Sequence, residues 1–546
     1  MAIYLSPGVY VQERDLSDIV PRIATAPAAI VGYSAKGDVN NIRLMTSDQQ
    51  FLEEYGEPDP SSGHYLHYSA LAYLAKGNAL YCLRVHNGAL WGGANIMKST
   101  SEYSNAALSA GQSSDSFTAA SGYEEDTLFQ ILGANPGVWN NKIGIKIQNV
   151  KDGTDEVATN QYTFEIVVYH QDADGNWSQV ELFKVSRKTK VDGFGKQLYL
   201  EDKINGISKY IIVKDNTDIA NTAVPSAQAT RLTFSGGSDG SDISSSDLVT
   251  GWEEFENPDD VDTRILINGG ETDVVVQTAI RDVAEDRLDC IAILDMPYAS
   301  TNSSTSMLTF RNTTQNFNSN YCALYTIWPK IHDAYNDLLL QVPPSGYVAA
   351  QYAYNDYVSN VWFAPAGFNR GVLDSVLECT KTDGTTLTQG ERDVLYAAQI
   401  NPLQTFRGEG HVIWGQSTLQ KKTSALSSVN VRRLLIVMEK AMAVALRSFV
   451  MEPNNDLTRF RIEALLNEYL GNLSAQGAFQ TEAGDQGFHV VCDTTNNTSS
   501  VIDSKELHVD VFVKPSRAAE FIRLRVTATT SGASFEELVS KGFLLG

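Results

Sequence analysis

Residues 264–294 read RILINGGETDVVVQTAIRDVAEDRLDCIAIL, and the fold turns on this stretch. Arg264–Ile267 is a short apolar run that suits a buried strand. Thr272–Ala284 follows with helical spacing of its apolar residues, and Cys290–Leu294 is a second apolar run. Two buried strands separated by one helix cannot form a hairpin, so they lie parallel, joined by a crossover. Met307–Phe317 predicts another helix and Cys322–Trp328 another strand, which extends the pattern into a mostly parallel α/β sheet. Upstream, Ala29–Tyr33 and Ala79–Val85 read as strands. Between them, Ser47 is suited to cap a helix ending near Gly56, and Leu66–Ala75 is a buried helix closed by Gly77. The 28–85 piece is expected to complete the same α/β unit, with a further domain inserted into it.

That insertion spans 95–245. Ser and Gly dominate 99–122, and short alternating strands follow at Lys142–Val150, Tyr162–His170, Glu181–Val185, Tyr210–Val213 and Arg231–Phe234. Asp174-Gly175 is a hairpin turn between two of them. The piece reads as all-β, with Ser235–Ser241 as a flexible linker leading back. Near the end, Asn430 is placed to cap a helix with the apolar face Val431, Leu434, Leu435, Met438, Met442, Ala445, Leu446 and Phe449. Pro453 ends it, Asp456 caps a second helix that stops near Gly477, and strands are expected at Phe488–Cys492 and Leu507–Val513. The expected organisation is therefore an N-terminal arm (1–20), an α/β unit in two pieces (21–94 and 246–399), the insertion (95–245), an α+β C-terminal unit (400–515) and a C-terminal arm (516–546). A chain of 546 residues is long enough for several cores of this size.

Both arms look like strands without a neighbour in sequence. Gly8–Arg14 alternates, with Val9 and Val11 against Tyr10 and Gln12. Phe521–Thr527 places Ile522, Leu524 and Val526 on one face and Arg523 and Arg525 on the other. An extended arm of this kind can add to the sheet edge of another copy, and a head-to-tail contact that does not close builds an open helix or stacked rings.

A net charge of -23 argues against nucleic acid as a partner of the whole chain. The charge is uneven, however: Lys421–Ile462 holds eight basic and three acidic residues, and Arg433, Lys440 and Arg447 recur at intervals of seven. On a helix such residues form one basic stripe, which reads either as a solvated face or as a surface for docking on acidic protein. Five scattered cysteines (Cys82, Cys290, Cys322, Cys379, Cys492) read as buried reduced thiols, in keeping with synthesis in a reducing cytoplasm. No signal-peptide pattern or membrane-spanning run is present, so membrane insertion is not expected.

Enzyme patterns are missing where they would be needed. There is no G-x-S-x-G elbow, and the closest P-loop imitation, Gly32 to Gly37, continues into Asp38 where a lysine would be required. Gly408-Glu409-Gly410-His411 lacks a third glycine. His64 and His67 could share a metal only with further ligands that the neighbouring sequence does not supply. No catalytic, cofactor or metal site is expected, and the alternative of a different class is a cytoplasmic α/β hydrolase with a β accessory domain.

A series of motifs runs in fixed order through the second half: Tyr325-Thr326-Ile327-Trp328-Pro329, Pro344-Ser345-Gly346-Tyr347-Val348-Ala349, Trp362-Phe363-Ala364-Pro365-Ala366-Gly367, Glu391-Arg392-Asp393-x-Leu395-Tyr396, Ile400-Asn401-Pro402, Trp414-Gly415-Gln416-x-Thr418, Val431-Arg432-Arg433-Leu434-Leu435, Glu452-Pro453-Asn454-Asn455, Asn496-Asn497-Thr498 and Ala519-Glu520-Phe521-Ile522. Ser6-Pro7-Gly8-Val9-Tyr10-Val11-x-Glu13 opens the chain. Together these resemble the contractile tail sheath proteins of bacteriophages, of the T4-like myovirus type. Ala350 and Tyr354 depart from the smaller residues of that pattern.

The resemblance implies an α/β + β multidomain fold with a subtilisin-like, non-catalytic central domain, an inserted outward-facing β domain and an α+β C-terminal domain facing a tail tube. It implies stacked hexameric rings that contract to drive the tube through the host envelope for genome delivery. The partners would be further copies of the chain, the tail tube protein, and baseplate and tail terminator proteins, in a virion tail assembled in the host cytoplasm. A tailocin or other contractile injection system is the alternative within the same architecture. Val9, Tyr10, Val11, Gln12, Phe521, Ile522, Leu524 and Val526 would lie on the exchanged strands. Val509, Val511 and Val513 would lie in the receiving sheet, and Arg433, Lys440 and Arg447 would face the tube.

Overall fold

The computed structural model describes residues 20, 24–39, 41–98, 104–108, 127–153, 161–172, 174–192, 194–482 and 484–524. Its centre is an eight-stranded sheet built from both sides of the insertion. The strands are β1 (Ala28–Tyr33), β2 (Arg43–Met45), β3 (Leu80–Val85), β4 (Ile265–Ile267), β5 (Ile291–Asp295), β6 (Cys322–Thr326), β7 (Ile400–Phe406) and β8 (Gly410–Ile413). They lie in the order β8-β7-β6-β5-β4-β1-β3-β2. The six inner strands are parallel, and β2 and β8 are antiparallel edges.

β1 pairs with β4 on one side and β3 on the other, with Ala28 opposite Ile265 and Leu80. The two pieces of the chain therefore share one sheet. β5 and β6 are buried at every position, as expected for strands covered on both faces by helices. The Ile400-Asn401-Pro402 segment belongs here too, because Leu324 of β6 pairs with Ile400. This corrects the expected start of the C-terminal unit at 400: residues 400–413 complete the central sheet.

The helices packed on the sheet include α1 (Asp48–Tyr55), α2 (Leu66–Leu74), α3 (Val274–Arg287) and α4 (Pro344–Val358). Ser47 caps α1 by accepting from the Gln50 amide, and Gly56 closes it at φ +83. α2 and α4 cross where Gly346 meets Ser69, and a Cβ on Gly346 would sit 2.5 Å from Ser69 backbone atoms, so only glycine permits this approach. The helix expected over Met307–Phe317 is divided into Ser304–Thr309 and a π-helical turn, Phe310–Gln315. The wider turn seats buried Arg311, which donates to the carbonyls of Ala398, Phe317 and Leu419.

The insertion has two four-stranded sheets and a core of its own, in which Phe129 and Phe164 stack at 5.5 Å. Strands at Trp91–Met97, Ser104–Leu108 and Thr127–Gly133 join those expected from the sequence. Ser235–Ser241 is not a flexible linker. Leu90 and Ser238 exchange both backbone hydrogen bonds (2.8 and 3.1 Å), and the Gly93 amide donates to the Ser235 carbonyl at 3.2 Å. Gly92 makes this seam possible, since a Cβ there would lie 2.9 Å from the Gly237 nitrogen. Buried Arg84 braces the junction, donating to the carbonyls of Ser34 at 2.6 Å and of Gly37 and Pro136 at 2.8 Å.

Candidate assembly interface

The C-terminal unit is a helical hairpin with a small sheet laid against it. α5 (Val429–Leu446) and α6 (Asp456–Ala475) bury Leu434, Met438, Met442, Ile462, Leu466 and Leu470 with Trp362 and Phe479. Ser428 precedes α5, so Asn430 is inside the first turn instead of capping it; its amide donates to the Trp362 carbonyl at 2.9 Å. Asn455, one residue before the expected Asp456, caps α6 by accepting from the Thr458 amide at 2.9 Å.

β9 (Phe488–Val491) pairs antiparallel with β10 (Asp510–Val513), and the described chain adds no third strand to this sheet. Val509, Val511 and Val513 pack against the hairpin core, while Phe512 is exposed. A two-stranded sheet is marginal by itself and leaves edge amides and carbonyls available for pairing.

The basic stripe lies elsewhere than expected. The Arg433 guanidinium, 3% exposed, makes a two-pronged contact with the Asp356 carboxylate at 3.0 and 2.7 Å, and stands 4.6 Å from the Tyr352 ring centroid. Lys440 reaches Asp289 at 2.8 Å and Asp262 at 3.8 Å. Arg447 approaches Asp259 at 3.4 Å and is 66% exposed. The stripe does meet an acidic surface, but that surface belongs to the chain's own central unit. Arg433 and Lys440 are therefore corrected as tube-facing candidates, because their charges are already matched inside the protomer. Arg447 alone of the three keeps an exposed head.

Of the expected exchanged strands, Val9, Tyr10, Val11, Gln12 and Val526 lie outside the described residues. Phe521, Ile522 and Leu524 are described; they enter no sheet among the described residues and are 80%, 88% and 85% exposed. Three large apolar side chains in four residues are thus turned to solvent, a costly arrangement unless another surface covers them.

The position nearest to an enzyme-like pair is Ser345 with Asp295. The Ser345 hydroxyl donates to the Asp295 carboxylate at 2.6 Å, and the Ser345 and Gly270 amides donate to it at 2.8 and 2.9 Å. Among the described residues no histidine is hydrogen-bonded to either one, and the carboxylate holds the first turn of α4. His64 pairs with Glu271 at 3.0 Å, whereas buried His67 bonds the Tyr55 carbonyl at 3.2 Å, so the two histidines do not converge. Among the described residues no cluster of three His, Cys, Asp or Glu could hold a metal.

Burial pushes the Asp295 carboxyl up to about 6, against the hydrogen bonds that lower it. A folded-state value above the unfolded one means that its contribution to stability is complete below about pH 4 and is lost as pH rises through about 6. Urea denaturation should show about 2–3 kcal/mol less stability at pH 7 than at pH 4 from this group. In Asp295→Asn that component of the pH slope should vanish; an unchanged slope would contradict the assignment.

Residues 241–419 match the family model of the phage tail sheath protein central domain, and residues 421–529 that of the phage tail sheath C-terminal domain. The two meet where the central sheet gives way to the helical hairpin. The chain is 30% identical over 375 residues to the tail sheath protein of Enterobacteria phage T4, covering 65% of this chain and 54% of that protein. It thus spans about half the length of such curated relatives. Its fold is shared with the sheath tail protein of Listeria innocua (TM-score 0.58, 12% identity, 90% of this chain and 96% of that one). It is shared also with the sheath complex of an extracellular contractile injection system, PVC, in its contracted state (TM-score 0.54, 17% identity, 98% and 100%).

These consecutive matches to two domains of one family cover more than half the chain, and solved sheath proteins share its fold. The chain belongs to the contractile phage tail sheath family.

Proposed function

We propose that this chain polymerises into stacked hexameric rings around a tail tube and contracts to drive the tube through the host cell envelope. The observation that carries this reading is the pairing of an unfinished two-stranded sheet with an arm whose apolar residues stay exposed among the described residues of the protomer. Strand addition from another copy satisfies both at once. The Arg433, Lys440 and Arg447 contacts join the C-terminal unit to the central unit, so a protomer can rotate as one body while the exchanged strands persist. Contraction is then a population shift between two packings of one sequence, the extended one held by a barrier. The central unit is read as subtilisin-like in shape and without catalysis, and the protein as non-enzymatic. Its partners are further copies, the tail tube protein, and baseplate and terminator proteins, in a virion tail assembled in the host cytoplasm. The likeness to an injection-system sheath keeps the tailocin-type reading beside the phage one; neighbouring capsid and terminase genes separate them.

The test is negative-stain electron microscopy of the purified chain at rising concentration, alone and with tail tubes. Hollow striated tubes are the expected result. A chain that stays monomeric in both conditions would count against the sheath reading.

A further inference from the structure

Three of the sequence motifs meet at one point outside the hydrophobic cores. Tyr396 lies in the last turn of the helix Gln389–Ala397, Gln416 lies just past β8, and Glu520 belongs to the arm. The Glu520 carboxylate accepts from the Tyr396 hydroxyl with one oxygen and from the Gln416 amide, at 2.9 Å, with the other. The Phe521 ring stands edge-on to Tyr396 at 6.0 Å. Four residues earlier the chain is still fixed to the C-terminal unit: Ser516 donates its amide to Ala478 at 3.0 Å and its hydroxyl to Gly477 at 2.9 Å. Only Arg517, Ala518 and Ala519 bridge the two anchorages.

We propose that Tyr396, Gln416 and Glu520 form a clamp that fixes the root of the C-terminal arm to the central unit. The segment beyond Glu520 is then carried by the central unit and not by the hairpin from which it emerges. Pull from a neighbouring copy would be delivered to the large parallel sheet, bypassing the marginal two-stranded one. The clamp's role in assembly rests on reading the arm as an exchanged strand, whereas its existence does not. A carboxylate taking two donors is a charge-assisted contact strong enough to bias an exposed segment, yet too peripheral to decide folding.

The experiment combines limited trypsin digestion, read by mass spectrometry at the bonds after Arg517 and Arg523, with sedimentation of assembled polymer. Glu520→Ala should leave the thermal melting curve superimposable on that of the wild type and raise cleavage at these two bonds about tenfold. Tyr396→Phe should give a smaller rise, and combining it with Glu520→Ala should add nothing, since both remove one contact. The critical concentration for polymer should rise in step with cleavage. Unchanged cleavage in Glu520→Ala would overturn the clamp. A wild type that never polymerises, but loses protection on Glu520→Ala, supports the clamp and counts against the sheath reading instead.

Discussion

Deleting residues 1–14 should abolish tubular polymer while leaving a folded, soluble monomer. A strand given to another copy contributes nothing to its own protomer's cores, so far-ultraviolet circular dichroism and the melting temperature should match those of the full chain. Assembly is another matter. A strand of five or so residues added to a sheet edge forms several backbone hydrogen bonds, each worth about 0.5–1.5 kcal/mol net. Losing about 3–5 kcal/mol at a contact repeated in every protomer raises the critical concentration by roughly two to four orders of magnitude. Electron microscopy and sedimentation of the truncated chain measure this directly. Normal sheaths from that chain would show that the N-terminal arm is not a structural strand of the polymer.

Arg433→Ala should cost about 3–5 kcal/mol of stability. The loss is not simply that of an ion pair. Asp356 has a side chain only 4% exposed, and removing its partner strands a carboxylate where water cannot replace the guanidinium. The Tyr352 ring loses its stacked cation at the same time. Asp356→Ala should be similarly damaging, whereas Arg433→Met with Asp356→Leu should recover most of the loss, because an apolar pair of similar volume removes both charges. Equilibrium urea unfolding of the four proteins tests this. A cost below about 1 kcal/mol for Arg433→Ala would mean that the pair is solvated and behaves as a surface salt bridge.

Much of the central sheet was legible because its signals are local. Residues 264–294 contain strand, crossover and strand in one window, and burial on both faces makes the strands apolar throughout. Ser47 and Gly56 marked a helix with residues whose conformational roles are specific. The C-terminal hairpin was legible for the same reason, apart from caps displaced by one or two residues. What sequence could not give was the identity of long-range partners. Arg433 reads equally well as a solvated cation or a buried one, and only the placement of Asp356, 77 residues away, decides. Ser235–Ser241 has the composition of a loose linker, yet glycines also allow two backbones to approach closely, and here Gly92 and Gly237 do so. The meeting of Tyr396, Gln416 and Glu520 was likewise hidden: each stood in a motif, but nothing in the spacing of the motifs says that they touch.

The seam between residues 87–93 and 235–241 also has a practical meaning. The insertion leaves and rejoins the central sheet through two backbones lying side by side, so its ends are held about 5 Å apart whatever the intervening chain does. The host sheet is thereby shielded from the length and composition of its guest. A foreign domain whose own termini lie close together could be grafted at this joint at little entropic penalty, each doubling of its length adding only about 0.6 kcal/mol. In the proposed sheath the outer surface would then become an addressable lattice, with one docking port for cargo on each subunit.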